Sequence, residues 1–160
     1  MSEFSSEEQE LKLRLRLAQI ERNEACQDEF LTFVRTMWPQ FVTGRHHEII
    51  AEKLERVASG SLKRLIINMA PRHTKSEFAS FLFPAWMMGR NPSMKIIQAT
   101  HTTELAVNFG RKTKNLIESE DFQEVFPEVK LAADSKASGR WDTSAGGMYY
   151  AVGVGSNLAG

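Results

Sequence analysis

The 160-residue sequence predicts an α/β fold with a parallel core sheet. Three observations carry this expectation. Two short apolar runs, 64–70 and 94–100, hold isoleucine pairs and are too brief for helices, which is how buried strands read. Each is followed by a longer segment with apolar residues at helical spacing, over 76–89 and 102–119. The connections are long enough for the crossovers that parallel strands need.

The elements follow in order. Residues 5–28 are rich in Glu, Gln, Leu, Arg and Ala, all good helix formers. Leu11, Leu13, Leu15 and Leu17 alternate as in a strand, but the run lacks β-branched residues. A helix with two apolar stripes is expected: Leu11, Leu15 and Ala18 on one, Leu13, Leu17 and Ile20 on the other. Such a helix packs on two surfaces or against a partner; an extended arm is the alternative. Phe30, Phe33, Val34, Met37 and Trp38 keep a helical period until Pro39, and 46–58 forms the next helix with Ile49, Ile50, Leu54 and Val57 inward. Gly60 suits a left-handed cap there.

After the first strand, Phe78, Phe81, Leu82, Ala85 and Trp86 mark a helix that Pro84 should kink or tighten in its middle. Thr102 or Thr103 caps the helix after the second strand, which buries Leu105, Ala106, Phe109, Leu116 and Ile117. Residues 120–127 form a short element and 130–140 a polar loop. Segments 141–144 and 148–154 then read as a hairpin around Gly146-Gly147. Trp38 and Trp86 lie on apolar helix faces and are expected in the core; Trp141 has no such assignment. Gly153 and Gly155 allow close approach of another backbone or a ligand.

Composition narrows the function classes. Hydrophobic content of 42% and charged content of 25% are ordinary for a soluble domain. Lys and Arg total 20, as do Asp and Glu, so net charge gives no reason to expect nucleic-acid binding. The cluster Arg111, Lys112 and Lys114 reads as a solvated helix face. A single cysteine, Cys26, excludes a disulfide within the sequence and fits a reducing compartment. No apolar run approaches the roughly 20 residues that span a bilayer, and the acidic start is no secretory signal. An intracellular, soluble protein is expected, with no membrane partner.

Chemistry concentrates where the first strand meets its helix. The turn Pro71-Arg72-His73 is tight and basic, and Lys75-Ser76 opens the helix. That is the layout of a phosphate-binding loop: backbone N–H groups of residues 73–77 at a helix N-terminus, a Lys for the outer phosphates and a hydroxyl for Mg²⁺. Arg72 is a second cation, able to contact transferring phosphate oxygens in bidentate fashion. The usual pattern places Gly where Met69 and Thr74 stand, so only Lys75-Ser76 matches it. Thr74 is a cost, because a β-branched residue resists the positive φ that Gly supplies. A plain strand-to-helix turn with a Ser cap and surface cations stands as the other reading.

Five stretches together resemble the N-terminal part of a tailed-phage terminase large subunit. They are Phe33-Val-Arg-Thr-Met-Trp-Pro39, Arg45-His-His-Glu-Ile-Ile-Ala51, the loop segment 64–77, Phe83-Pro-Ala-Trp86 with Gly89-Arg-Asn-Pro92, and Gly146-Gly-Met-Tyr-Tyr-Ala-Val-Gly-Val-Gly155. The loop is similar to that family's divergent phosphate loop, with Ala70 in place of the first Pro of its usual pair. The resemblance covers 30–160 and rests on the order and spacing of the pieces.

The resemblance implies a partial P-loop NTPase of the RecA-like (ASCE) type, a three-layer sandwich with a parallel core sheet. Residues 1–29 would be a helical extension and 30–160 the partial ATPase domain. It implies ATP and Mg²⁺ as cofactors, bound by Pro71, Arg72, His73, Thr74, Lys75, Ser76 and Glu77. Arg72 and Lys75 would serve catalysis and Ser76 would face the Mg²⁺. His46 and His47 are candidates for the adenine side, with a surface or capping role favoured; as a metal pair they are poor. The implied partners are double-stranded viral DNA, the portal protein and procapsid, the small terminase subunit and further copies of the chain in a ring. The implied location is the cytoplasm of an infected bacterium, at the procapsid portal.

In the family, the acidic strand with the Mg²⁺ and catalytic carboxylates follows the segment that matches 158–160, as do the trans-acting Arg and the nuclease domain. ATP binding without turnover is therefore expected of these 160 residues. His101 and Thr102, at the C-terminal end of the second strand, occupy a ligand-loop position or a simple strand-end cap. Two further classes stay open: another P-loop enzyme such as a helicase or kinase, and a non-catalytic interaction module.

Overall fold

A computed structural model describes residues 6–135 and 137–155. Residues 1–5, 136 and 156–160, the last five of the Gly-rich end 153–160, lie outside that range. The described residues are mixed α/β, with six α-helices and a three-stranded mixed sheet. The helices are α1 (Ser6–Asp28), α2 (Phe30–Met37), α3 (Arg45–Ala58), α4 (Phe83–Arg90), α5 (Thr103–Ile117) and α6 (Glu120–Val125). The strands are β1 (Lys95–Thr100), β2 (Arg140–Asp142) and β3 (Met148–Gly153), in the order β1-β3-β2.

β1 and β3 run parallel, with Lys95 opposite Met148 and Thr100 opposite Gly153. β2 returns antiparallel on β3 through a turn in which Gly146 holds φ at 82°. The expected hairpin is therefore present. Trp141 and Tyr149 are cross-strand partners whose rings stack at 4.9 Å and 2°, and the Trp141 indole donates to Gly110 O at 3.2 Å. That bond ties the hairpin to α5, which covers one face of the sheet. Thr102 caps α5, its hydroxyl accepting from Leu105 N. Gly153 lies so close to the start of α5 that a Cβ would collide with Thr103 N, so its close approach is to a helix of the same chain.

The sequence-based expectation fails at 64–70. Residues 62–70 take no regular secondary structure and join no ladder among the described residues, and they are not buried. Leu65, Ile67 and Met69 lean on the core while the residues between them face solvent; Ile66 is 85% exposed. An isoleucine pair reads as a two-sided buried strand, yet here only one face is covered. The sheet thus has one parallel pair, β1 and β3.

The core is helical and aromatic. Phe30 of α2 packs against Phe78 at 5.6 Å, Phe83 at 5.5 Å and Trp86 at 5.4 Å. Phe33 meets Phe122 and Phe126 of the α6 segment. Trp86 and Trp141 are fully buried, and Trp38 is half-buried against Phe41. α1 is a helix, as its composition predicts, but only its later part is held. Gln19 and Arg22 reach the Glu124 carboxylate, and Gln27 donates to Val125 O. The leucines of both stripes are exposed, so neither stripe is packed within the chain.

The turn before Pro84 is widened, not tightened. Residues 75–90 are continuously helical, with a π turn at Glu77–Leu82 leading into α4. Phe83 N–H reaches back five residues to Phe78 O. Pro84 has no N–H with which to continue the ordinary ladder, and the wider turn absorbs that loss.

Candidate phosphate-binding site

The turn at 71–74 is built from two left-handed residues that are not glycine: Arg72 at φ 65° and Thr74 at φ 60°. This corrects the expectation that Thr74 would resist positive φ. The first hydrogen bond of the following helix runs from Phe78 N–H to Thr74 O at 3.0 Å. Thr74 is thus the N-cap, and the N–H groups of 74–77 are those that a helix start leaves without an intrahelical acceptor. They form the positive end of the helix dipole.

Thr74-Lys75-Ser76-Glu77 has the sequence of a capping box, in which Thr and Glu would satisfy two of those donors. Neither arm is made. The Thr74 hydroxyl donates to His73 O at 2.6 Å, and the Glu77 carboxylate accepts from Lys112 Nζ at 3.1 Å. The donors are left available to an anion. Residues 69–77 line a cavity of about 420 Å³. Arg72 and Ser76 are exposed and Lys75 half-buried, and among the described residues neither cation pairs with a carboxylate.

Behind the loop sits His47, 5% exposed, at the third position of α3. Its ring lies 4.7 Å from Phe41 and 5.1 Å from Phe78. Gly44 N–H donates to Nδ1 at 2.8 Å, so Nδ1 carries no proton and the neutral ring has its proton on Nε2. Nε2 in turn donates to Thr74 Oγ1 at 2.7 Å. Burial lowers the His47 pKa below the ordinary 6.5, and the nearby His46 and His73 add to the effect. His46 is exposed, its ring 3.7 Å from that of His47 and 6.1 Å from that of His73.

The expected site residues 71–77 therefore line one concavity, with His46 at its side and His47 beneath it. His47 makes the capping contact that the sequence favoured. The link from His47 to Thr74 is new; the readable signal was a histidine three residues after Gly44, a capping position. His101 and Thr102 line no cavity with the loop, and Thr102 is a helix cap. The basic trio of α5 is engaged locally: Arg111 with Asn108, Lys112 with Glu77, Lys114 with Ser135 O.

The donor set fits phosphate oxygens: free N–H groups, a point charge at Lys75 and a forked cation at Arg72. For Mg²⁺ it offers the Ser76 hydroxyl, sufficient only for a cation that keeps waters and phosphate oxygens around it. No group of three His, Cys, Asp or Glu among the described residues could hold a metal by itself. A second cavity of about 430 Å³ opens at the far end of α4, lined by Gln27, Asp28, Arg90 and Glu128 among others. Its charges are of both signs and lie on loops and helix ends, so the loop carries the clearer chemistry. Comparison of the chain with protein-family models, with curated proteins and with solved structures gives no match. No described helix is long and apolar enough to cross a membrane.

Proposed function

We propose that the chain is the nucleotide-binding part of a DNA-packaging ATPase of the terminase large-subunit type, holding ATP–Mg²⁺ at Pro71–Glu77. The observation that supports the reading most is the unmade capping box. A helix start with its own caps diverted elsewhere, two cations that pair with no carboxylate among the described residues and a 420 Å³ concavity suit a polyphosphate. The five-segment resemblance supplies the rest: a partial P-loop sandwich, packaging of double-stranded DNA, a ring of copies, and the portal, procapsid and small subunit as partners. DNA would be gripped by its phosphates without base readout. On this reading Ile66 and its unpaired backbone neighbours are where a further strand of the sheet would pair.

The one carboxylate among the nine residues lining the cavity, Glu77, is paired with Lys112 and is not poised to orient water. The 160-residue chain is therefore expected to bind ATP–Mg²⁺ and to turn it over no faster than background. Calorimetric titration tests the reading. Lys75→Ala should weaken ATP by about 10- to 100-fold, the worth of a charge-assisted contact. Equal and poor binding by wild type and variant would remove its basis. That result would favour an interaction module, for which the exposed leucines of α1 already speak.

A further inference from the structure

We propose that His47 is a positioning residue: it holds the loop in its left-handed form, supplying from a distant helix what a glycine at position 74 would supply by itself. A left-handed threonine is disfavoured by its own Cβ. Something must hold it there, and the only side chain that reaches Thr74 Oγ1 among the described residues is His47, from 27 positions away.

The hydrogen bonds form a directed chain. Gly44 N–H donates to Nδ1, Nε2–H donates to Thr74 Oγ1, and that hydroxyl donates to His73 O. Each link fixes the next. The backbone donor at Gly44 selects the tautomer, the tautomer puts a donor at Nε2, and the threonine hydroxyl must turn its own proton to His73 O. Packing between Phe41 and Phe78 fixes the ring plane. Because His47 is almost fully buried, water is a poor substitute for it. A histidine that served only to cap α3 would need Nδ1 alone; the second nitrogen is what reaches the loop. Without that bond, Thr74 relaxes toward the right-handed region and carries the N–H groups of 74–77 out of register.

The nucleotide arm of the test rests on the phosphate-loop reading; the conformational arm does not. The left-handed state of Thr74 is read by NMR, from the strong intraresidue HN–Hα contact that marks positive φ. ATP–Mg²⁺ affinity is measured in parallel on the same proteins. His47→Ala should abolish the left-handed signature and weaken ATP by about tenfold. Thr74→Gly needs no latch, and its own ATP affinity is the reference for the second substitution. In the Thr74→Gly background, His47→Ala should change affinity less than about twofold, because the coupling partner is gone.

If His47→Ala does not fold, two isosteric variants replace it. His47→Gln keeps a donor at the position of Nε2 and should keep the signature. His47→Asn keeps an acceptor at the position of Nδ1, and so the α3 cap, and should lose it. Retention of the signature in His47→Asn, or an equal loss of ATP binding in both threonine and glycine backgrounds, would overturn the proposal. A protein that shows the signature and its loss but binds no ATP would keep the latch and refute the phosphate-loop reading.

Discussion

Trp86→Phe should cost about 2–4 kcal/mol, for a reason that lies at the junction of α1 and α2. In an unbroken helix, Cys26 O would accept from Phe30 N–H. The chain breaks at Glu29, and Phe30 N–H donates instead to Glu55 Oε1 at 2.8 Å. Cys26 O is thereby an orphan carbonyl at the end of α1, and Cys26 is buried. The Trp86 indole N–H satisfies it at 2.8 Å. Phenylalanine keeps the ring contact with Phe30 but leaves that carbonyl unpaired, which costs about 1–3 kcal/mol. The lost pyrrole atoms open a void of a few tens of Å³, and at about 24 cal/mol per Å³ that adds about 1 kcal/mol. For a chain of this size the melting temperature should drop by about 5–15 °C, read by thermal unfolding in circular dichroism. A drop of less than about 2 °C would show that the indole bond does not secure α1 to α4.

Two further outcomes concern titration. The His47 pKa is lowered in the folded state, first by burial and then by His46 and His73, so between that lowered value and 6.5 the unfolded chain binds more protons. The His47 contribution to stability is therefore intact above 6.5 and declines as pH falls below it; denaturant unfolding at about pH 5 and about pH 8 should show a loss for wild type that His47→Gln reduces. Tyr149 is one of two tyrosines, and burial pushes its pKa up to about 12 against a smaller opposing effect of Thr113. The folded state keeps that proton longer, so stability is complete below the ordinary value of 10.0 and declines as pH rises toward about 12; tyrosinate absorbance should show one tyrosine ionising late, and Tyr149→Phe should remove it.

Most helices were legible because their signals are local. Apolar spacing, Thr102 at an N-cap and the glycine turn at 146–147 act within a few residues, and those elements stand where the sequence placed them. Ile49 and Leu105, expected inward, are exposed at the edges of their helix faces; the misreadings at 64–70 and Pro84 are non-local. Residues 64–70 have strand composition, but composition cannot tell whether a neighbour offers its hydrogen bonds, and Ile66 faces solvent. Pro84 announces a disturbed helix, yet whether the disturbance is a kink or a π turn depends on packing. Here Phe78 and Leu82, on the widened turn, are both buried, so widening keeps them in the core.

The loop carries the same lesson at the site. A pattern of glycines is one way to specify a left-handed turn, because glycine needs no help to adopt it. Thr74 needs help, and the help comes from a residue that no local pattern could connect to it. The missing glycine counted against the loop only while the loop was considered alone. Once His47 is included, the hydroxyl that makes Thr74 a poor left-handed residue by shape is the group by which it is held. The same hydroxyl, turned toward His73 O, is withdrawn from capping the helix, and Glu77 is withdrawn by Lys112. Thus the contact that holds Thr74 left-handed also keeps its hydroxyl off the helix start, while Lys112 separately holds Glu77 away, and substitutions that release Thr74 without glycine should weaken the anion site.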